Sequence, residues 1–203
     1  MKLIGMLDSP YVRRVAISAK YLGIALEHRS VSVFRHFEQF QQINPVVKAP
    51  TLVLDDGEVL MDSTLIIDYL EALAGPGKSL MQGDLDQRLR ALRLIGLGLV
   101  ACEKSVQLYY ERNLRPVEIQ FEPWVERVEE QLAAAYSALE RELQKQPLKT
   151  DGSIDQGGIT LAVAWSFTNL VVPDQVKAAR FPLINAFTEY AEGLEVFVST
   201  PIE

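Results

Sequence analysis

One cysteine, Cys102, in 203 residues rules out an intramolecular disulfide. The two histidines, His28 and His36, have no cysteine partners at ligand spacing, so no metal site is expected. No run of 18 apolar residues occurs, which leaves no candidate for a membrane-spanning helix. The apolar start, Leu3 to Leu7, meets Asp8 at once and does not read as a secretory leader. Positive charge is in deficit. Lys and Arg number 20 against 27 Asp and Glu, a net charge of −7, which disfavours a nucleic-acid or anionic-membrane partner. Also missing are a Gly-x-Ser-x-Gly elbow, a P-loop and a Gly-x-Gly-x-x-Gly turn, which argues against a serine hydrolase or a nucleotide-binding site built on those motifs. A soluble cytoplasmic protein is the expectation that remains.

What is present is apolar and periodic. Hydrophobic residues make up 48% of the chain, enough for a sizeable core and too many for disorder. Charge is unevenly spread: residues 1–80 carry 8 basic against 9 acidic residues, residues 81–203 carry 12 against 18. The first part is therefore nearly neutral and can hold an anionic ligand without a strong opposing field.

Residues 1–7 read as a buried strand. Ser9 has N-cap chemistry and Pro10 suits a first helical position, opening a helix through Val12, Val15, Ala19 and Leu22 that Gly23 stops. Leu26 to Val33 suggests a second strand, and 35–44 a short polar helix or loop. Thr51 to Leu54 and Glu58 to Met61 flank Asp55-Asp56-Gly57, a hairpin signal. A helix follows through Leu65, Ile66, Tyr69, Leu70 and Leu73, with Ser63 as the expected N-cap. Ala74-Gly75-Pro76-Gly77-Lys78 is the best linker candidate. Beyond it the pattern is helical: 85–113, 122–145, Thr160 to Val172 capped by Thr160 after a break at Gln156-Gly157-Gly158, and about Leu183 to Ala191. Gly96 and Gly98 inside the long helix read as packing contacts. The expected fold is α/β plus all-α: a βαβαββα domain over 1–75, a linker over 76–84 and a helical domain over 85–203.

Three groups carry chemistry, all in the first 63 residues. Ser9 lies at a strand-to-helix junction, where free N–H groups and partial positive charge favour an anion such as a thiolate. A hydroxyl donating to a thiolate lowers its pKa, although a plain cap also accounts for Ser9. Lys48-Ala49-Pro50 precedes a strand. A cis Pro50 turns the Ala49 N–H and C=O outward to pair with an extended ligand as an added strand does; an ordinary trans loop proline is the alternative. Asp62-Ser63 opens a helix, and an adjacent carboxylate and helix N-terminus suit the two charges of an α-amino acid end, or serve only as a cap.

Together these groups resemble the cytosolic glutathione S-transferase superfamily. The matching residues are Ser9-Pro10-Tyr11 with Arg13-Arg14-Val15, Asn44-Pro45 through Lys48-Ala49-Pro50-Thr51-Leu52, and Asp62-Ser63 leading Leu65-Ile66. The likeness covers essentially the whole chain and is nearest to the bacterial transferases with a serine at the end of strand one. It implies a thioredoxin-like N-terminal domain and an all-helical C-terminal domain. It implies that Ser9 stabilises the glutathione thiolate, that Ala49 pairs its backbone with the cysteinyl part beside a cis Pro50, and that Asp62 and Ser63 hold the γ-glutamyl end. Lys48 is assigned to the glycyl carboxylate, and Phe34 or His36 to a flank of the ligand. The implied reaction is attack of the thiolate on an electrophilic, largely apolar second substrate, with Leu7, Tyr109 and Tyr110 as wall candidates. Glutathione is a co-substrate and no cofactor is implied. A homodimer using Tyr69 and Arg88 to Arg93 is also implied. Non-catalytic glutathione-binding proteins, and glutathione-dependent isomerases or dehalogenases, share the scaffold. Two departures stand out: Thr160-Leu161-Ala162-Val163 replaces a Ser/Thr-x-x-Asp capping box, and Ser9 excludes the mixed-disulfide chemistry of members with cysteine there. Cys102 reads as a buried apolar residue.

Overall fold

A computed structural model describes residues 1–75, 77–81 and 83–203. The expected linker includes Pro76 and Gln82, which lie outside the described residues. The chain divides into two compact units: 1–80 together with 194–203, and 81–193.

The first unit is built on a four-stranded sheet in the order β2-β1-β3-β4, with β1 Lys2–Ile4, β2 Glu27–Arg29, β3 Thr51–Val53 and β4 Val59–Met61. β1 runs parallel to β2 and antiparallel to β3, and β3–β4 is the hairpin that Asp-Gly signals. The helices are α1 (Pro10–Leu22), α2 (Phe37–Ile43) and α3 (Ser63–Ala74). The observed order is βαβαββα. β1 and β2 are both shorter than expected. Gly5, with φ +136, ends β1, and a side chain there would collide with Val12. Of the strand expected from Leu26 to Val33 only Glu27–Arg29 forms, with all three residues exposed, and Val31 beyond it is buried.

Successive strand residues point to opposite faces, so Leu3 and Ile4 serve different layers. Ile4 packs with Val31 and with Phe40 of α2. Leu3 is paired with Leu52, and both are buried, as are Val12 and Val15 of α1 and Ile66 and Leu70 of α3. α1 and α3 pack on one another. Fully burying such an aliphatic side chain contributes roughly 1.5–3 kcal/mol, which makes this layered core the main stabilising term of a unit with three-residue strands.

The last ten residues rejoin this unit, which the sequence pattern does not signal. α8 (Glu195–Val198) packs on α1. The carbonyls just beyond it are bonded by α1: Arg13 Nε donates to Thr200 O at 2.9 Å and Lys20 Nζ to Ser199 O at 2.7 Å, while the Arg13 guanidinium lies over the Phe197 ring.

The second unit is helical: α4 (Leu85–Asn113), α5 (Glu122–Lys145), α6 (Gln156–Val171) and α7 (Pro182–Glu192). α4 packs on both α5 and α6, and α7 on α5 and α6. α6 begins four residues before the expected start. Asp155, not Thr160, is its N-cap, accepting from Gly158 N at 2.7 Å; Thr160 is inside the helix and bonds back to Gln156 O. Gly157 and Gly158 are not a break, because they let helices approach: a methyl group on Gly158 would sit 3.0 Å from Phe187 of α7. Gly98 likewise lies against Thr160, whereas Gly96 faces open space. Cys102 is buried, as expected. Among the described residues no helix is long and apolar enough to cross a membrane.

Candidate functional site

Strand register gathers one end of the sheet. Ile4 is level with Arg29 in β2 and with Thr51 in β3, and Thr51 is level with Met61 in β4. The loop after β1 (Gly5 to Ser9), the segment after β2 that leads to Phe34 and His36, the Ala49-Pro50 approach to β3, and Asp62-Ser63 after β4 therefore leave or enter at the same edge.

Ser9 sits at the cap position of α1, with extended backbone (φ −69, ψ 122), but its side chain makes no cap hydrogen bond. The hydrogen-bonded cap expected of Ser9 is thus not formed, and Pro10 starts the helix instead. The Ser9 hydroxyl has no hydrogen-bond partner among the described residues. Asp8, next to it, is half-buried. Burial raises its carboxyl above the usual 3.8; the Ser9 N–H opposes this, the negative Glu203 adds to it and Arg35 opposes it. Arg35 also donates to Met6 Sδ at 3.4 Å.

The Ala49–Pro50 peptide bond is cis. Neither the N–H nor the C=O of Ala49 has a hydrogen-bond partner among the described residues. The loop is held by Asn44, which is buried. Its Nδ2 donates to Thr51 Oγ1 at 2.9 Å, its Oδ1 accepts from Val46 N at 3.0 Å, and Thr51 Oγ1 donates to Lys48 O at 2.7 Å. An Asn before a Pro turn commonly bonds the backbone two residues on, which is the local signal for this role. Lys48 is exposed, with its ammonium 5.9 Å from the centroid of Tyr11, and makes no ion pair among the described residues.

Asp62 and Ser63 exchange the roles expected of them as a cap. Asp62 is the N-cap of α3, its Oδ1 accepting from Thr64 N at 2.8 Å and Leu65 N at 3.4 Å. Its other carboxylate oxygen has no partner among the described residues. Ser63 is the first helical residue, 2% exposed, and its hydroxyl accepts from Arg14 Nη1 at 2.9 Å. The only non-glycine residues with positive φ among those described are Val47 (52) and Asp62 (71), on either side of this edge. Such backbone costs of order 1–3 kcal/mol per residue and concentrates at sites where function requires it.

His36 turns its Nδ1 inward to accept from Ser32 N, and both it and Phe34 are exposed. Leu7 is buried in the first unit. Tyr109 and Tyr110 are about two-fifths exposed near the end of α4, with ring centroids 6.3 Å apart. Tyr110 lines a cavity of about 470 Å³ within the helical unit, together with Leu114, Pro116 and Trp124 and the paired Glu111 and Arg115. No group of three or more potential metal ligands occurs among the described residues. Arg14 and Asn44 stand within the quoted motifs, yet sequence reasoning gave neither a role. Nothing in a helical Arg-Arg pair signals that both side chains are buried.

Residues 3–78 match the family model for the glutathione S-transferase N-terminal domain. The chain is 28% identical over 170 residues to the GST-like protein YibF of Escherichia coli (strain K12), covering 83% of this chain and 82% of that protein. It is 24% identical to glutathione S-transferase U3 of Arabidopsis thaliana, over 97% of this chain and 86% of that one. Among solved structures, a glutathione transferase family member from Pseudomonas fluorescens Pf-5 with bound glutathione superposes with a TM-score of 0.86 at 28% identity, covering 100% of this chain and 98% of its own. A glutathione S-transferase from Methylobacterium radiotolerans in complex with glutathione sulfonate shares the fold, with a TM-score of 0.89 at 24% identity over 98% of this chain and 93% of its own.

Proposed function

We propose that this chain, whose residues 3–78 match the glutathione S-transferase N-terminal domain model, is a serine-type glutathione transferase. The observation that carries this reading is the convergence at one sheet edge of an uncommitted Ser9 hydroxyl, an unpaired Ala49 backbone and the open Asp62-Ser63 end of α3. Each matches a part of glutathione. The Ala49 N–H and C=O pair with the backbone of the cysteinyl residue as an added strand would. The free oxygen of Asp62 takes the γ-glutamyl ammonium, and Ser63 at the helix N-terminus takes its α-carboxylate. Lys48 faces the glycyl carboxylate, with Phe34 and His36 flanking. Ser9 donates to the sulfur. Because its hydroxyl is not used as a cap, it favours the thiolate together with the N-terminal end of α1.

The thiolate then attacks an electrophilic carbon of a largely apolar second substrate. The sulfur's electron pair forms the new C–S bond, and the leaving group departs with its pair or, in an addition, the carbon chain takes up a proton. Leu7 is a proposed wall for that substrate, and cytoplasm is the proposed location. A homodimer belongs to the same reading. Leu65, Tyr69 and Leu73 form an exposed i, i+4 apolar stripe on α3, and Leu85, Leu89 and Leu92 an exposed i, i+4, i+7 stripe on α4, next to Arg88 and Arg93.

The test is the thiol pKa of bound glutathione, read by thiolate absorbance against pH. Wild type lowers it, and Ser9→Ala returns it toward the free thiol value of about 8.5. Binding without any lowering in wild type would favour a non-catalytic glutathione-binding protein, and absence of binding would overturn the site.

A further inference from the structure

The contact behind Ser63 gives a role to Arg14, and the inference rests on the glutathione reading above. Arg14, in α1, is 2% exposed, and its Nη1 donates to Ser63 Oγ at 2.9 Å and to Thr64 Oγ1 at 3.2 Å. A guanidinium carries donors only and stays charged, while a serine hydroxyl has one proton and two acceptor sites. Once Arg14 occupies an acceptor site of Ser63, the hydroxyl proton is directed elsewhere, and a donor polarised by a cation gives its proton more strongly. Among the described residues no protein group accepts that proton, and the backbone N–H of Ser63 is also without a partner, since Asp62 takes the N–H groups of Thr64 and Leu65. Ser63 thus presents two adjacent donors with a buried positive charge one hydroxyl behind them.

We propose that Arg14 is a positioning residue for the ligand carboxylate at Ser63. It holds the hydroxyl as a donor and makes the site select a charged α-carboxylate over a neutral group of the same shape. The pair works as a relay of polarity, not of protons: no proton leaves the guanidinium. Lysine is only a partial substitute, because its compact ammonium is more strongly hydrated than a guanidinium and is carried on a flexible stem.

The experiment titrates glutathione, and glutathione with its γ-glutamyl α-carboxylate converted to the carboxamide, into wild type, Arg14→Met, Arg14→Lys and Ser63→Ala by calorimetry. Wild type prefers the carboxylate by about tenfold or more, the worth of one charge-assisted hydrogen bond. Arg14→Met loses most of that preference through weaker glutathione binding, while its affinity for the carboxamide stays within about twofold. Arg14→Lys keeps an intermediate preference, and Ser63→Ala loses it as Arg14→Met does. Equal weakening of both ligands in Arg14→Met would make Arg14 merely structural and overturn the proposal, as would an unchanged preference. If Arg14→Met does not fold, Arg14→Lys decides by the same ratio, an unchanged preference overturning the proposal. Wild type that binds neither ligand would overturn the glutathione reading itself.

Discussion

The two units differ in where their polar groups are left open. In the helical unit a buried cluster is closed on itself, although Gln131 Oε1 and Thr188 Oγ1 are buried without a partner among the described residues. Tyr136 of α5 bonds Ala164 O and Thr168 of α6, and Thr168 meets Ser105 of α4, all buried. Burial raises the Tyr136 phenol well above its ordinary value, only partly opposed by its bond to Thr168, so it stays a neutral donor. Glu140 of α5, 5% exposed, accepts from Leu183 N at 2.9 Å and Ile184 N at 3.1 Å, capping α7, which has no side-chain cap of its own. In the sheet unit the groups at one edge are left open: the Ser9 hydroxyl, the Ala49 backbone, one oxygen of Asp62 and both donors of Ser63. These open groups are the ones that the proposed glutathione site uses.

The largest effect expected on this contrast is on the closed side. Glu140→Ala strands two N–H groups at a buried helix end and lowers unfolding free energy by about 3 kcal/mol, measured by urea denaturation, with glutathione affinity unchanged. If affinity falls with stability, the two units are not separable in this way. On the open side, Asp62→Ala loses a working cap, costing about 1 kcal/mol, and also weakens glutathione. Asp62→Asn keeps an acceptor for Thr64 and Leu65, so stability changes little while the ammonium contact weakens. Parallel losses in both variants would reduce Asp62 to a cap.

The smallest effect is at Asp8. Its carboxyl titrates higher in the fold than in the unfolded chain, so the fold favours the protonated form. That contribution is fully present below the unfolded value and is lost as pH rises through the raised native one. Asp8→Asn is therefore expected to be slightly more stable than wild type at neutral pH, with the difference shrinking as pH falls through the native and then the unfolded value. Thermal denaturation over pH 3 to 8 measures this; a difference independent of pH would remove burial of the charge as its cause.

Much was legible in the sequence because it is written locally. Pro10 at a first helical position, Asp56-Gly57 between two strands, and apolar spacing of 3.6 against 2 are properties of short stretches, and the βαβαββα order and the helices of 81–193 follow from them. Local signals also misplaced the caps. Ser9, Ser63 and Thr160 each carry capping chemistry, yet α1 has no side-chain cap, and Asp62 and Asp155 cap the other two helices. Several suitable residues compete near each helix start, and the backbone chosen by tertiary packing decides among them, as when the approach of Gly158 to Phe187 lets α6 begin at Gln156.

The sequence by itself determined which residue types stand ready for an anion, an ammonium and an extended backbone, because those are properties of side chains and of Pro50. Only the tertiary structure decided that they share one sheet edge, through the register of Ile4 with Thr51 and of Thr51 with Met61. It alone decided that Arg14 lies buried behind Ser63, 49 residues away in the chain, and that residues 194–203 return to α1. The reason is physical: periodicity tells which face of a helix is apolar, but burial of a charge depends on partners that sequence spacing does not encode.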